Sequence, residues 1–266
     1  MRKAFLFFTA IALLPAGGCG DERRLRMATT TSVYDSGLLD ALLPVFTAEE
    51  GIAVDVIVVG SGKALKLAER GDCDCVLTHS PKAEEDVVRK GVAAERGKLM
   101  SNFFMIVGPA ADPAGLSSVA NVRDAFARIA EKGTGFVSRG DDSGTHRAEM
   151  AVWLALKIDP RGKAWYLESG TGMGETLELV YQKNLYTLTD QGTYLAYRNS
   201  DRLTCFVEND PALLNVYSFL AVSASPHRRE AERLGRWLRS PRGQELIGGF
   251  RKRGLRAFEP IADRKS

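Results

Sequence analysis

Strand-length apolar runs alternate along this chain with helix-length segments that glycine closes, and that alternation leaves few folds open. Residues 54–59 and 216–222 are rich in β-branched and large apolar side chains, the mark of strands buried inside a sheet. Residues 25–28, 75–78 and 103–107 read as further strands. Between them a helix capped by Asp35 or Ser36 carries Leu38, Leu39, Leu42, Leu43 and Phe46 and stops at Gly51. Two more helices follow over 63–70, ended by Gly71, and over 81–90. This is βαβ logic, and it predicts an α/β fold with a mainly parallel sheet. A second block opens near Pro109, with helices expected over 119–132, 145–156 and 173–182 and strands over 136–138, 186–189 and 204–207. Helices over 226–238 and 241–251 close the chain. The expected organisation is two lobes, one built from 20–107 and 217–266 and the other from 108–216.

The 266 residues include 45% hydrophobic and 26% charged side chains, an ordinary globular balance with length enough for two cores. A formal net charge of +3, evenly spread, excludes a nucleic-acid binder that relies on a basic face. Arg2 and Lys3 precede an apolar stretch over 4–14 and then Pro15-Ala16-Gly17-Gly18-Cys19. That pattern over 1–19 is a secretory signal, too short for a permanent membrane span. Gly17 and Gly18 before Cys19 resemble a bacterial lipobox, which would make Cys19 the lipidated first residue of the mature chain. Ala16 stands where the usual leucine would be, and cleavage after an A-x-A-like site is the alternative. Loss of Arg2 and Lys3 takes the net charge from +3 to +1.

Three further cysteines are Cys73, Cys75 and Cys205. An oxidising compartment permits a disulfide, and Cys73 and Cys75 are too close to bridge each other comfortably, so a bridge would join one of them to Cys205. No histidine stands at ligand spacing from them, so no metal site is expected, and packing is the simpler role.

Four loops offer hydroxyls and small residues where a strand gives way to a helix. They are Ala28-Thr29-Thr30-Thr31-Ser32, Val59-Gly60-Ser61-Gly62-Lys63-Ala64, the run from Ser138 to His146, and Gly170-Thr171-Gly172-Met173-Gly174. Helix N-termini carry unpaired N–H groups and positive dipole ends, so such loops bind anions. Glycine lets backbone approach the ligand, and Ser or Thr adds a neutral donor. Any one of these loops is equally a plain helix cap; four in one chain point to a shared site.

The same loops resemble those of the periplasmic tungstate-binding component of ABC transporters. The resemblance runs through Ala28 to Ser32 with Asp35-Ser36-Gly37-Leu38-Leu39, Val59 to Leu65, Phe136 to His146, Gly170 to Leu177, and Tyr186 to Asp190 with Gly192-Thr193-Tyr194-Leu195. It covers nearly the whole mature chain, and its most specific part is Ser138-Arg139-Gly140-Asp141-Asp142-Ser143-Gly144-Thr145-His146. The chain departs from the family at Ser61, often threonine, at Gln191, often arginine, and at Cys73 and Cys75. The resemblance implies a type II solute-binding protein, a monomer of two lobes joined by two crossover strands, that clamps tungstate or molybdate for an ABC permease. It carries Thr30, Thr31, Ser32, Ser61, Ser138, Arg139, Thr145 and, less strongly, Thr171 onto the oxyanion. It implies no cofactor, and a place in the periplasm or on the outer face of the cytoplasmic membrane, with Cys19 as the anchor if acylated.

A tetrahedral dianion without protons only accepts hydrogen bonds, which suits a site of hydroxyls with one arginine fork. Asp141 and Asp142 would repel it, so helix-start capping or orienting Arg139 is their expected work. His146 and the tryptophans read as structural, and Lys63 as a water-facing or long-range charge. A hydrolase using Ser143 and His146 is the rival reading, but the order is not that of a nucleophile elbow, and a base from elsewhere would have to be His79 or His227. A periplasmic anion sensor on the same fold is a third reading.

Overall fold

The computed structural model describes residues 23–261, so the signal segment and Cys19 lie outside the described residues. Strand β1 (Arg23–Thr29) leads into the short helix α1 (Thr31–Ser36), a left-handed Gly37 with φ 78°, and helix α2 (Leu38–Glu50). Next come β2 (Ile52–Val58), α3 (Ser61–Arg70), β3 (Cys75–Thr78), α4 (Pro81–Arg89) and the long β4 (Gly97–Gly108). The following block holds α5 (Val122–Lys132), β5 (Phe136–Ser138), α6 (Gly144–Ala155), β6 (Tyr166–Glu168), α7 (Met173–Lys183), β7 (Tyr186–Asp190) and α8 (Gln191–Ala196). After β8 (Thr204–Val207) and β9 (Leu214–Ala221) the chain forms α9 (Arg228–Arg239) and α10 (Pro241–Gly249). Two-residue strands β10 (Arg251–Lys252), β11 (Leu255–Arg256) and β12 (Glu259–Pro260) end it.

The main sheet runs β2-β1-β3-β9-β4-β7-β5-β6, with β8 and β12 also paired to β4. β1 is parallel to β2 and β3, and β5 to β6 and β7. Every pairing of β4 or β9 is antiparallel. β4 faces β9 through residues 97–103, then β7 and β8 through residues 104–108, so one strand serves two parts of the sheet.

Alternation along the strands gives each part a core on both faces. Leu25 and Met27 of β1, with Tyr217 and Phe219 of β9, meet Phe46 of α2 and Leu234 of α9. Ala28, Val76 and Leu220 turn the other way, to Ala64 and Leu65 of α3 and Val87 of α4. Further on, Phe104 and Ile106 of β4 join Phe126 and Trp153, while Met105 and Val107 join Met173, Leu177 and Val180 of α7.

Several local expectations change. The run over 54–59 forms a parallel strand, but at the sheet's outer edge, where Asp55 is exposed and pairs with Arg24 of β1 at 2.6 Å. β4 is longer than 103–107 because Ser101 and Asn102, polar and buried, belong to its ladder with β9. The helix carrying Leu38 to Phe46 has Gly37, not Asp35 or Ser36, at its N-cap position, although the Ser36 hydroxyl accepts the N–H of Leu38 at 3.2 Å; Thr30 caps the short α1 ahead of it. The helix expected from 119 starts at Val122, capped by Asn121. β6 and α8 were not expected, being short. Cys73, Cys75 and Cys205 are free thiols; Cys73 and Cys75 are buried in the cores beside β1, so the bridge to Cys205 is not formed.

His79, just past β3, ties the shared strands together. Its Nδ1 lies 2.9 Å from Asn215 Oδ1. Asn215 Nδ2 donates to Asn102 Oδ1 at 3.0 Å and to the Tyr217 hydroxyl at 2.9 Å, so Oδ1 is the acceptor and the proton sits on His79 Nδ1. The ring packs on Tyr217, centroids 4.9 Å apart, and lies so close to α6 that a Cβ on Gly144 would stand 2.4 Å from its Cε1. Burial lowers its pKa from 6.5 to about 4; the bond to Asn215 opposes this, and the Arg139 charge adds to it. The folded state therefore binds fewer protons than the unfolded chain between those values, and this group's contribution to stability is lost as pH falls from 6.5 towards 4. His79→Gln should flatten the fall of the urea midpoint across that window; an unchanged pH dependence in the variant would contradict the assignment.

Candidate oxyanion site

Each of the four hydroxyl-bearing loops leaves the carboxyl end of a strand, respectively β1, β2, β5 and β6, and opens a helix, as ligand loops of open α/β sheets do. All four meet. A cavity of about 320 Å³ is lined by Thr31 of the first loop, Gly60 and Gly62 of the second, Arg139 of the third and Thr171 of the fourth. The N-termini of α3 and α6 lie side by side next to it, α3 lining it through Gly62 and Lys63 and the loop before α6 through Asp141 and Asp142. A Cβ on Gly60 would lie 3.8 Å from the Cα of Ser143, the residue that caps α6. Their positive dipole ends therefore add in one place.

Ser61 and Thr145 stand at the starts of these two helices. Both are buried, at 0% and 1% exposure, and neither Ser61 Oγ nor Thr145 Oγ1 has a partner within the protein. An unpaired buried hydroxyl costs about 1–3 kcal/mol, so one at each of two neighbouring helix starts demands an explanation. These hydroxyls have a proton to give and stand at the starts of two helices whose positive dipole ends lie together, a setting that suits an acceptor bearing negative charge.

Arg139 is 4% exposed and held from three directions. Its Nε donates to the Thr171 carbonyl at 3.3 Å, Nη1 to Thr31 Oγ1 at 3.4 Å and Nη2 to Asp141 Oδ2 at 2.5 Å. The first loop is thereby joined to the third and fourth. Asp141 also accepts the Ser143 N–H at 3.1 Å, so it both orients the arginine and supports the start of α6. Asp142 does not act on Arg139. It pairs with Arg147, which holds its carboxyl below the usual range.

The remaining expected residues fall into two groups. Thr30 and Ser32 are buried, their hydroxyls 3.0 Å apart, with Ser32 also within reach of the Tyr217 hydroxyl. Ser138 is fully buried, but its hydroxyl is given to Glu149 at 2.6 Å. Thr171 is exposed and meets Arg139 through its backbone carbonyl. Sequence reading missed Lys66, which joins Lys63 on the cavity wall one helical turn later. It also missed Glu149, an acidic residue on the apolar face of α6, and Asp190, a fully buried α8 cap raised by burial and drawn back by Thr193 and Arg139. The D-x-x-T spacing of Asp190 and Thr193 before a helix was its available signal.

The rival hydrolase reading meets a different geometry. Ser143 Oγ accepts the backbone N–H of His146 at 3.3 Å, and His146 Nδ1 accepts the N–H of Asp142 at 3.0 Å. The serine is a helix cap, the imidazole a loop brace, and no hydroxyl–imidazole pair forms between them.

Comparison with known proteins agrees with this architecture. The PBP superfamily domain model matches residues 20–242. The tungstate-binding protein TupA of Peptoclostridium acidaminophilum is 41% identical over 246 residues, 89% of this chain and 85% of that one. The solved TupA of Desulfovibrio alaskensis is 41% identical with a TM-score of 0.76, covering 91% of this chain and all 100% of that one. The tungstate ABC transporter structure from Geobacter sulfurreducens gives 41% identity and a TM-score of 0.78, over 86% and 99% of the two chains. The chain is thus a member of the PBP superfamily and, within it, of the TupA family.

Proposed function

We propose that this protein captures tungstate between its two lobes outside the cytoplasm and delivers it to an ABC permease, with molybdate as a weaker ligand. One observation carries the reading: two buried, unpartnered hydroxyls at neighbouring helix N-termini, beside a buried arginine. The ligand set is Thr30, Thr31, Ser32, Ser61, Ser138, Arg139, Thr145 and Thr171. The lobes are 20–107 with 217–266 against 108–216, bending at the shared strands, as hinge closure in periplasmic binding proteins does. The bond from Arg139 to Thr31 crosses between them and supports a clamped form. The work is binding and release, with no turnover. Cys19 is read as the lipid anchor, to be tested by the mass of the mature chain; an unmodified N-terminus elsewhere would refute it.

The charge balance explains why the site needs so many neutral donors. Arg139 is already matched by Asp141, so a dianion entering here is compensated by helix dipoles and hydroxyls as well as by the guanidinium. Replacing Arg139 with alanine removes a charge-assisted fork and leaves Asp141 unpaired beside the ion. The loss should be about 2–5 kcal/mol, roughly 30-fold to several thousand-fold in affinity by calorimetric titration. Lysine should rescue only partly, having lost the planar fork. An Arg139→Ala protein that bound tungstate within about twofold of the parent would displace the site.

A further inference from the structure

Ser138 ends β5 with its hydroxyl donating to Glu149 Oε2 at 2.6 Å, while Ser138 Oγ itself accepts the Gly140 N–H at 3.2 Å. Glu149 stands four residues after Thr145 on α6, hence on the same helix face as one of the two unpartnered hydroxyls. Its other oxygen, Oε1, takes the Trp153 indole N–H at 3.0 Å and the Tyr166 hydroxyl at 2.7 Å. The carboxyl is 2% exposed and has no ion pair among the described residues.

The groups around it are few. β6 brings Tyr166 and the like-charged Glu168. β5 brings Arg139, whose guanidinium is turned to Asp141, Thr171 and Thr31. β7 contributes Tyr186 and α5 contributes Phe126 to the adjoining core. On α6 itself, His146 braces Asp142. Burial pushes Glu149 up to about 7, against the pull of the Ser138, Tyr166 and Trp153 bonds.

The hydroxyl of Ser138 has one proton to give. With Glu149 ionised, that proton is spent on Oε2, and a carboxylate stands behind the serine. With Glu149 protonated on Oε2, the acid O–H donates to Ser138 Oγ, and the serine proton turns to a new acceptor. An incoming dianion favours the second state twice over, through the extra donor and through the removal of a like charge.

We propose that Glu149 is a proton-linked positioning residue, which takes up one proton from solvent as the oxyanion enters and so converts Ser138 into a donor to the ion. This rests on the reading of Ser138 as an oxyanion contact. The chemistry is a single protonation of a carboxylate, and no other bond changes.

The test is calorimetric titration of tungstate into the parent and into Glu149→Gln, in buffers of different ionisation enthalpy, between about pH 6 and about pH 8.5. Tungstate carries no proton in that range, so any uptake belongs to the protein. The parent should take up a fraction of a proton at the alkaline end. Its affinity should rise as pH falls there, by at most about tenfold per pH unit. Glu149→Gln, whose amide N–H can donate to Ser138 at every pH, should lose both the uptake and the slope. A residue with only a structural role would change affinity without erasing the pH profile. A parent that binds tungstate with no proton uptake, or a variant that keeps the parent's uptake, overturns this inference alone. A parent that binds no tungstate overturns the functional reading and this inference with it.

Discussion

A buried guanidinium must be paired, and the pairing of Arg139 organises much of what surrounds it. Asp141 neutralises it, the Thr171 carbonyl takes a second N–H, and Thr31 takes a third. Those partners come from three loops, so placing one side chain fixes the relative positions of all three. The arginine is left with its positive charge shared, and the site cannot work as a simple cation hole. On the proposed reading, the helix starts of α3 and α6 supply much of the stabilisation, which accords with Ser61 and Thr145 there being buried without a protein partner.

Topology makes that convergence possible. β4 and β9 each run antiparallel to their neighbours and lie at the centre of the sheet order, so the first two loops approach the last two from opposite sides. The polar chain His79–Asn215–Asn102 lies along these same strands and is closed by Tyr217. Gly144 lets the start of α6 come within contact of the His79 ring; any larger residue would hold the helix back. The backbone of Gly140, at φ 62°, turns the third loop sharply where a Cβ would strike Glu168 at 2.8 Å.

Much of this was legible in the residues themselves. Strand and helix alternation is a local pattern, and the loops announce themselves by glycine and hydroxyl content. What stayed hidden depends on partners distant in sequence. In residues 54–59 only Asp55 hints that their strand lies at the edge; the apolar run around it reads as a central strand. The polar half of β4 looks like a loop until β9, more than a hundred residues later, supplies its ladder. Glu149 sits among alanine, methionine and tryptophan and reads as a solvent residue by type, because its donors come from β5 and β6. Lys66 required only helical spacing from Lys63, and was legible.

Donors at two neighbouring helix starts, beside a cavity that Arg139 lines, should select a large tetrahedral dianion free of protons. Phosphate near neutral pH keeps a proton that needs an acceptor, and sulfate is smaller. The most direct measurement is a competition titration of the mature protein with tungstate, molybdate, sulfate and phosphate at one fixed ionic strength. One equivalent of tungstate should bind, displaced by molybdate only in excess and by neither sulfate nor phosphate at comparable concentration. Sulfate binding as tightly as tungstate would contradict it.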